Sequence, residues 1–131
     1  MQIVNAFPPN FDKIKEAFPV RNNTVFAYGD AIFAPGSNGT LPKDLIEHER
    51  VHLGQQAGDP EKWWDKYISD AKFRLDQEVE AYRAQYRMYK SMVGGNKPKC
   101  FSFLKFIGQD LSSPLYGNMV GMFDAMRMIE N

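Results

Sequence analysis

The chain has 131 residues, 44% of them apolar and 24% charged, with 16 basic residues balancing 16 acidic ones. That length supports one domain, residues 1–131, with a core that needs no disulfide staples, and the balanced charge gives no sign of a nucleic acid or an anionic membrane as partner. The single Cys100 leaves no intramolecular disulfide and fits a reducing compartment, while Met1 to Val20, with Asp12, Lys13, Lys15 and Glu16, reads as no signal peptide, and no apolar run is long enough to span a bilayer.

Gln2 to Ala6 reads as a short strand closed by Pro8-Pro9. Asn10 is a plausible helix cap, and Phe11, Ile14 and Phe18 then recur at helical spacing until Pro19. From Thr24 to Phe33 two β-rich runs flank Gly29-Asp30, the pattern of a hairpin or a bulged strand. Ala34 to Thr40 is a loop by composition. Pro42 opens a helix that ends near Gln56, before Gly58. Asp59-Pro60, a cap and a proline at the first helical position, starts another, with a bend expected near Ser69 and helical patterning as far as Val93. Along it Leu75, Val79, Tyr82, Tyr86, Tyr89 and Val93 form one apolar stripe. Two further helices, Phe101 to Leu111 and Met119 to Ile129, are separated by Ser112-Ser113-Pro114. Met119, Met122, Met126 and Met128 are expected as core filler of the last, and Cys100 as a buried small residue.

The only two histidines lie four residues apart, in His48-Glu49-Arg50-Val51-His52. Residues i and i+4 of a helix share a face, so both imidazoles can bind one Zn²⁺, with Glu49 beside them as a proton acceptor for water. A catalytic zinc site needs a third protein ligand and an open position. With no further histidine, the candidates are carboxylates, and the next long helix offers Glu78 and Glu80. Taking the stripe as the inward direction, Glu78 lies about 60° from it and Glu80 about 140°, so Glu78 is the better placed.

HERVH followed by a glutamate on the next long helix resembles the gluzincin group of zincin metallopeptidases. Glu78-Val79-Glu80-Ala81-Tyr82 is similar to the E-x-x-A-D motif of CAAX-type endopeptidases and to the E-x-x-A-N of repressor-cleaving peptidases. In both families the first glutamate is the ligand, which again selects Glu78. Thermolysin-like enzymes support a ligand histidine with an aspartate four residues on; here that position is Tyr82. Zincins also take an oxyanion donor from a downstream tyrosine or histidine, and Tyr116, in Ser112 to Gly117, is the candidate; the alternative is a packed loop aromatic. A looser likeness runs over most of the chain, through Asn5 with Pro8-Pro9, Phe26 to Asp30, Trp63-Trp64, Tyr67, Phe73-Arg74 and Leu115 to Gly117. It is to small HExxH proteins encoded by tailed bacteriophages.

The resemblance implies a mostly helical α+β domain with a minimal zincin-like core: a short N-terminal sheet, the HExxH helix, the glutamate helix and C-terminal helices. It implies hydrolysis of a peptide bond with Zn²⁺ held by His48, His52 and Glu78, and Glu49 as general base. The substrate would be a peptide or protein, with virion proteins as possible partners, in the cytoplasm of an infected bacterial host or in the virion. Two other readings compete: a phage structural or accessory protein that keeps the scaffold without turnover, and a small module binding a host protein. Glu78 can instead pair with Arg74 one turn earlier. Trp63, Trp64 and Tyr67 suit core or a lid on the HExxH helix better than a substrate platform. The run Val25 to Phe33 is a candidate edge for pairing with an extended substrate.

Overall fold

A computed structural model describes all residues, 1–131. The elements are β1 (Gln2–Val4), α1 (Phe11–Ala17), β2 (Phe26–Tyr28), β3 (Ala31–Phe33), α2 (Lys43–Gln56), α3 (Pro60–Ser69), α4 (Ala71–Met92), α5 (Lys97–Leu111), a 3₁₀ turn (Pro114–Tyr116) and α6 (Met122–Glu130). The fold is α+β and mostly helical, and no helix is long and apolar enough to cross a membrane. The sheet has the order β1-β3-β2, with β1 parallel and β2 antiparallel to β3.

Local chemistry explains the boundaries. Tyr28 pairs with Ala31 across Gly29-Asp30; Gly29 takes φ +70° and Asp30 keeps a negative φ, the arrangement of a II′ hairpin rather than a bulge. The helical run from Pro60 does not merely bend but breaks at Asp70, which is extended (φ −129°, ψ 102°). Its N–H closes α3 on Lys66 C=O, and its carboxylate opens α4 by accepting from Phe73 N–H at 3.0 Å. A short acidic side chain competes for backbone donors and so ends one helix while capping the next. In one straight helix Tyr67 and Glu78 would stand about 16 Å apart along the axis. The break lets their side chains meet.

Other limits shift for similar reasons. The first strand stops at Val4, two residues short of the expected end. The Asn96 side chain accepts from Lys99 N–H, so α5 starts four residues earlier than expected; α6 starts at Met122, after Gly121. Asn10 precedes α1 but does not cap it through its side chain. Its backbone (φ −100°, ψ 22°) is not in the extended region from which a carboxamide reaches the first-turn amides. Both of its side-chain polar atoms are buried without a partner.

Two apolar clusters form the interior. Leu75, Val79 and Tyr86 of α4 pack with Leu104, Ile107 and Leu111 of α5, and with Ala125, Met126 and Ile129 of α6. Ile14, Phe26, Trp63, Trp64 and Tyr67 form the second, between α1, the sheet and α3. Cys100 is buried, whereas Met119 lies outside α6 and is 46% exposed, so it is not core filler.

Helix α6 approaches α5 closely at Gly108. A methyl group there would stand 2.8 Å from Met122 C=O and 2.7 Å from Met126 Cγ. Gly108→Ala gains up to about 1 kcal/mol of helix propensity, but overpacking costs about 1–3 kcal/mol where backbone cannot yield. Urea unfolding should therefore show Gly108→Ala less stable than the parent, by about 1–2 kcal/mol. Unchanged or greater stability would mean that α6 can move away freely.

Candidate metal centre

Helix α2 places His48 and His52 one turn apart on its buried face, with ring centroids 4.9 Å apart and Nε2 atoms 3.2 Å apart. Glu78 comes from α4, packed across α2. Its Oε1 lies 2.9 Å from His48 Nε2 and 3.3 Å from His52 Nε2. All three side chains are buried. Donor atoms on a tetrahedral zinc with bonds near 2.05 Å stand about 3.3 Å apart. Two imidazole nitrogens and a carboxylate oxygen at this spacing fit a metal ion with one position left open. No fourth histidine, cysteine or carboxylate completes the group.

Glu80 is exposed and faces away, as the helix phase requires, yet it is tied to the centre. Gln55 Nε2 donates to Glu80 Oε1 (2.9 Å) and Gln77 C=O (3.0 Å), which turns Gln55 Oε1 toward His52 Nδ1 at 2.8 Å. In the neutral His52 ring the proton therefore sits on Nδ1, leaving the Nε2 lone pair for a metal. Tyr67 donates to Glu78 Oε2 at 2.6 Å, and that oxygen also lies 3.3 Å from His52 Nε2.

Tyr82, which stands where thermolysin-like enzymes carry aspartate, gives His48 a ring contact and no hydrogen bond. The rings meet edge-on at 4.6 Å, and the Tyr82 hydroxyl donates instead to Asp110 Oδ2 at 2.7 Å. His48 Nδ1 is left buried without a partner. Tyr116 is buried beside the same carboxylate, its hydroxyl 3.4 Å from Asp110 Oδ2. Arg74 does not pair with Glu78. Its guanidinium donates to Tyr67 C=O (2.6 Å), Ile68 C=O (3.1 Å) and Leu115 C=O (2.8 and 2.9 Å), tying the end of α3 and the 3₁₀ turn to α4.

Glu49 is buried, with Oε2 3.8 Å from His48 Nε2. Burial raises its carboxyl above the usual range, against the partial opposition of the two histidines. Burial also pushes Glu78 up, but His52 and His48 outweigh it and hold that carboxyl well below the usual range. For His52, burial disfavours the charge, yet Glu78 prevails and lifts it to about 9. Two carboxylates in one pocket are thus driven apart, one toward holding a proton and one toward ligand duty.

A pocket of about 230 Å³ opens at this centre. Trp63, Trp64 and Tyr67 wall it together with Phe18, Val20 and Val25, and Glu49, Tyr82 and Tyr116 line it with the three donors. Two backbone groups along the outer edge of β2 and its turn are taken. Ala27 C=O accepts from Gln56 Nε2 (2.8 Å) and Trp64 Nε1 (2.9 Å), and Gly29 N–H donates to Gln56 Oε1 (2.8 Å). Side chains of α2 and α3 therefore occupy part of the edge that the sequence offered for strand pairing, and Val25, Phe26 and Ala27 of that run line the pocket.

His48, Glu49, His52, Glu78 and Tyr116, all singled out from the sequence, line this one pocket, and Glu80, the other carboxylate offered there, does not. Sequence reasoning missed Tyr67 as a partner of Glu78, Gln55 behind His52, and Asp110 beneath two phenols. Spacing carries no signal for Tyr67 or Asp110, whose contacts join separate elements, whereas Gln55 stands three residues after His52 on α2, an i, i+3 spacing that could have found it. No family model, curated protein or solved structure matches the chain.

The charge pattern predicts how the metal-free protein responds to pH. Protonated His52 stabilises the fold below its unfolded pKa of 6.5, and this contribution is lost as pH rises through about 9. Ionised Glu78 stabilises above its unfolded value of 4.5 and stops doing so as pH falls through its lower folded value. Melting in the presence of chelator should give the highest Tm between about pH 4.5 and 6.5 and a decline toward pH 9. A metal ion held at Nε2 would have to displace the His52 proton, so a Tm increase on adding Zn²⁺ should grow across the same upward range. A chelated protein whose Tm is flat from pH 6 to 9 would contradict the His52–Glu78 pairing.

Proposed function

We propose that this protein is a zinc-dependent hydrolase of peptide bonds. The observation that carries the reading is Glu49: a buried carboxylate beside an open group of two imidazoles and one carboxylate. A structural zinc site needs four protein ligands and no base, whereas a hydrolytic one needs three ligands, a vacancy and a base. The resemblance of HERVH and Glu78 to gluzincin peptidases supports the same reading.

His48, His52 and Glu78 would hold the ion, and bound zinc would supply Lewis acidity toward water and a carbonyl oxygen. Glu49 accepts the proton of the attacking water and returns it to the leaving amine, a task for which a raised carboxyl pKa is suited. Tyr116 lines the pocket as a phenol that donates to the developing oxyanion. Apolar walls exclude bulk water and strengthen these electrostatic interactions.

The test begins with metal content. Protein purified without tag or chelator and then dialysed against Zn²⁺ should carry one equivalent by elemental analysis, and His48→Ala should lose it. Zinc-loaded protein is then offered host lysate and synthetic peptides, with new N-termini read by mass spectrometry. Absence of zinc, or affinity unchanged in His48→Ala, sinks the metal reading. Specific retention of iron would turn attention to redox chemistry, since two histidines and a carboxylate also suit Fe(II). Zinc without any cleavage favours a scaffold that binds metal and does not turn over.

A further inference from the structure

The metal pocket does not end at its own walls. A second groove shares Phe18, Pro19, Val20, Thr24 and Phe26 with it and continues outward over α1. The charges divide sharply between the two. The inner pocket contains Glu49 and Glu78 and no lysine or arginine. The outer groove contains Lys15 and Arg21 and no acidic residue.

We propose that this outer groove binds an acidic side chain, aspartate or glutamate, of a peptide whose scissile bond lies in the inner pocket. The proposal rests on the peptidase reading above and specifies its substrate class. Lys15 and Arg21 are both exposed, and neither forms an ion pair within the chain. Nearby Lys13, by contrast, is held by Glu61 and Asp65 across to α3. Glu16 does not neutralise Lys15 in the groove, because it turns to the opposite side of α1 and lines a cleft with Lys13 and Asp65. Lys15 lies over the Phe11 ring, 5.7 Å from its centroid, which holds its ammonium on the groove side of α1.

The carboxylate is assigned to a side chain rather than to a chain end because the apolar floor continues. Phe7, 54% exposed and packed against Phe11 with ring centroids 4.3 Å apart, extends the groove to its far side. A peptide that meets the two cations can therefore run on. An acidic residue finds unpaired basic side chains only in the outer groove, because the inner pocket has apolar walls and no lysine or arginine. The arrangement thus selects an apolar residue beside the scissile bond, against the aromatic walls, and an acidic one further along, at the two unpaired cations.

The experiment uses zinc-loaded Glu49→Gln, which cannot turn the probe over, and fluorescence anisotropy. The probes are fluorescein-labelled, amidated peptides with a central Phe-Leu and one variable residue, placed in turn two, three and four positions to either side. That residue is Asp, Asn or Lys, and a further probe carries Asn with a free C-terminal carboxylate. At one placement Asp should bind about five- to tenfold more tightly than Asn, as expected of two half-solvated ion pairs. The advantage should vanish in 0.5 M NaCl and pass to Lys in the Lys15→Glu, Arg21→Glu double variant. Equal binding of Asp and Asn at every placement overturns the proposal. So does an Asp preference that survives double reversal, an advantage confined to the free C-terminus, or no binding of any probe. Elemental analysis of the same samples separates the two levels. Missing zinc defeats the metal centre itself, whereas bound zinc without acidic preference defeats only the groove assignment.

Discussion

Glu49→Gln should retain one zinc per chain while hydrolysis of any peptide the protein cleaves falls by about 10²–10⁴-fold, the range for losing a general base. Glutamine preserves the volume of glutamate in a site that is 6% exposed, so packing is not the variable. Its amide cannot accept the proton of the attacking water. Because Glu49 Oε2 stands 3.8 Å from His48 Nε2, farther than any of the three donor contacts, the metal affinity does not depend on it. The loss should appear in kcat with KM little changed, since the proton moves only in the reaction. Equal cleavage by wild type and variant would remove HERVH from the catalysis altogether.

Loss of the carboxylate ligand should be as severe for binding. Glu78→Gln replaces an anion by a neutral amide between two imidazoles, and isothermal titration with Zn²⁺ should show at least a 100-fold weaker site. Tyr67→Phe, which removes only the hydrogen bond to Oε2, should weaken zinc about tenfold, at the lower end for such supporting groups. Glu80→Gln keeps an acceptor oxygen for Gln55 and should change affinity by no more than a few fold. This ranking discriminates among carboxylates that differ by two positions in the chain. If Glu80→Gln abolished binding while Glu78→Gln did not, the ligand would be misassigned.

The parts of the site legible in the sequence are those carried by one element. His48, Glu49 and His52 share a helix, so helical geometry alone puts both rings on one face. Glu78 followed from phase, because the stripe through Leu75, Val79 and Tyr86 defines the inward direction, and all three are buried. Tyr116 was accessible only as an aromatic on a loop; its place in the pocket depends on Arg74 gripping Leu115 C=O from α4. The alternative i, i+4 pairing of Arg74 with Glu78 fails for the same reason. Carbonyls at the end of α3 and in the 3₁₀ turn offer the buried guanidinium more hydrogen bonds than one carboxylate could.

The α+β class, the helical runs and the candidate ligands were determined by the sequence itself, through periodicities, caps and prolines that act over one or two turns. Tertiary structure decided what surrounds them. Asp70 turns α3 back so that Tyr67 can hold Glu78, and Gln56 and Trp64 take the outward carbonyl of Ala27 on β2. Tyr82 gives its hydroxyl to Asp110 and leaves His48 Nδ1 without an acceptor. The physical reason is common to all three. A buried polar group pairs with whatever partner packing brings within about 3 Å, so the hydroxyl that Asp110 takes is lost to His48, and packing joins residues that no local periodicity relates.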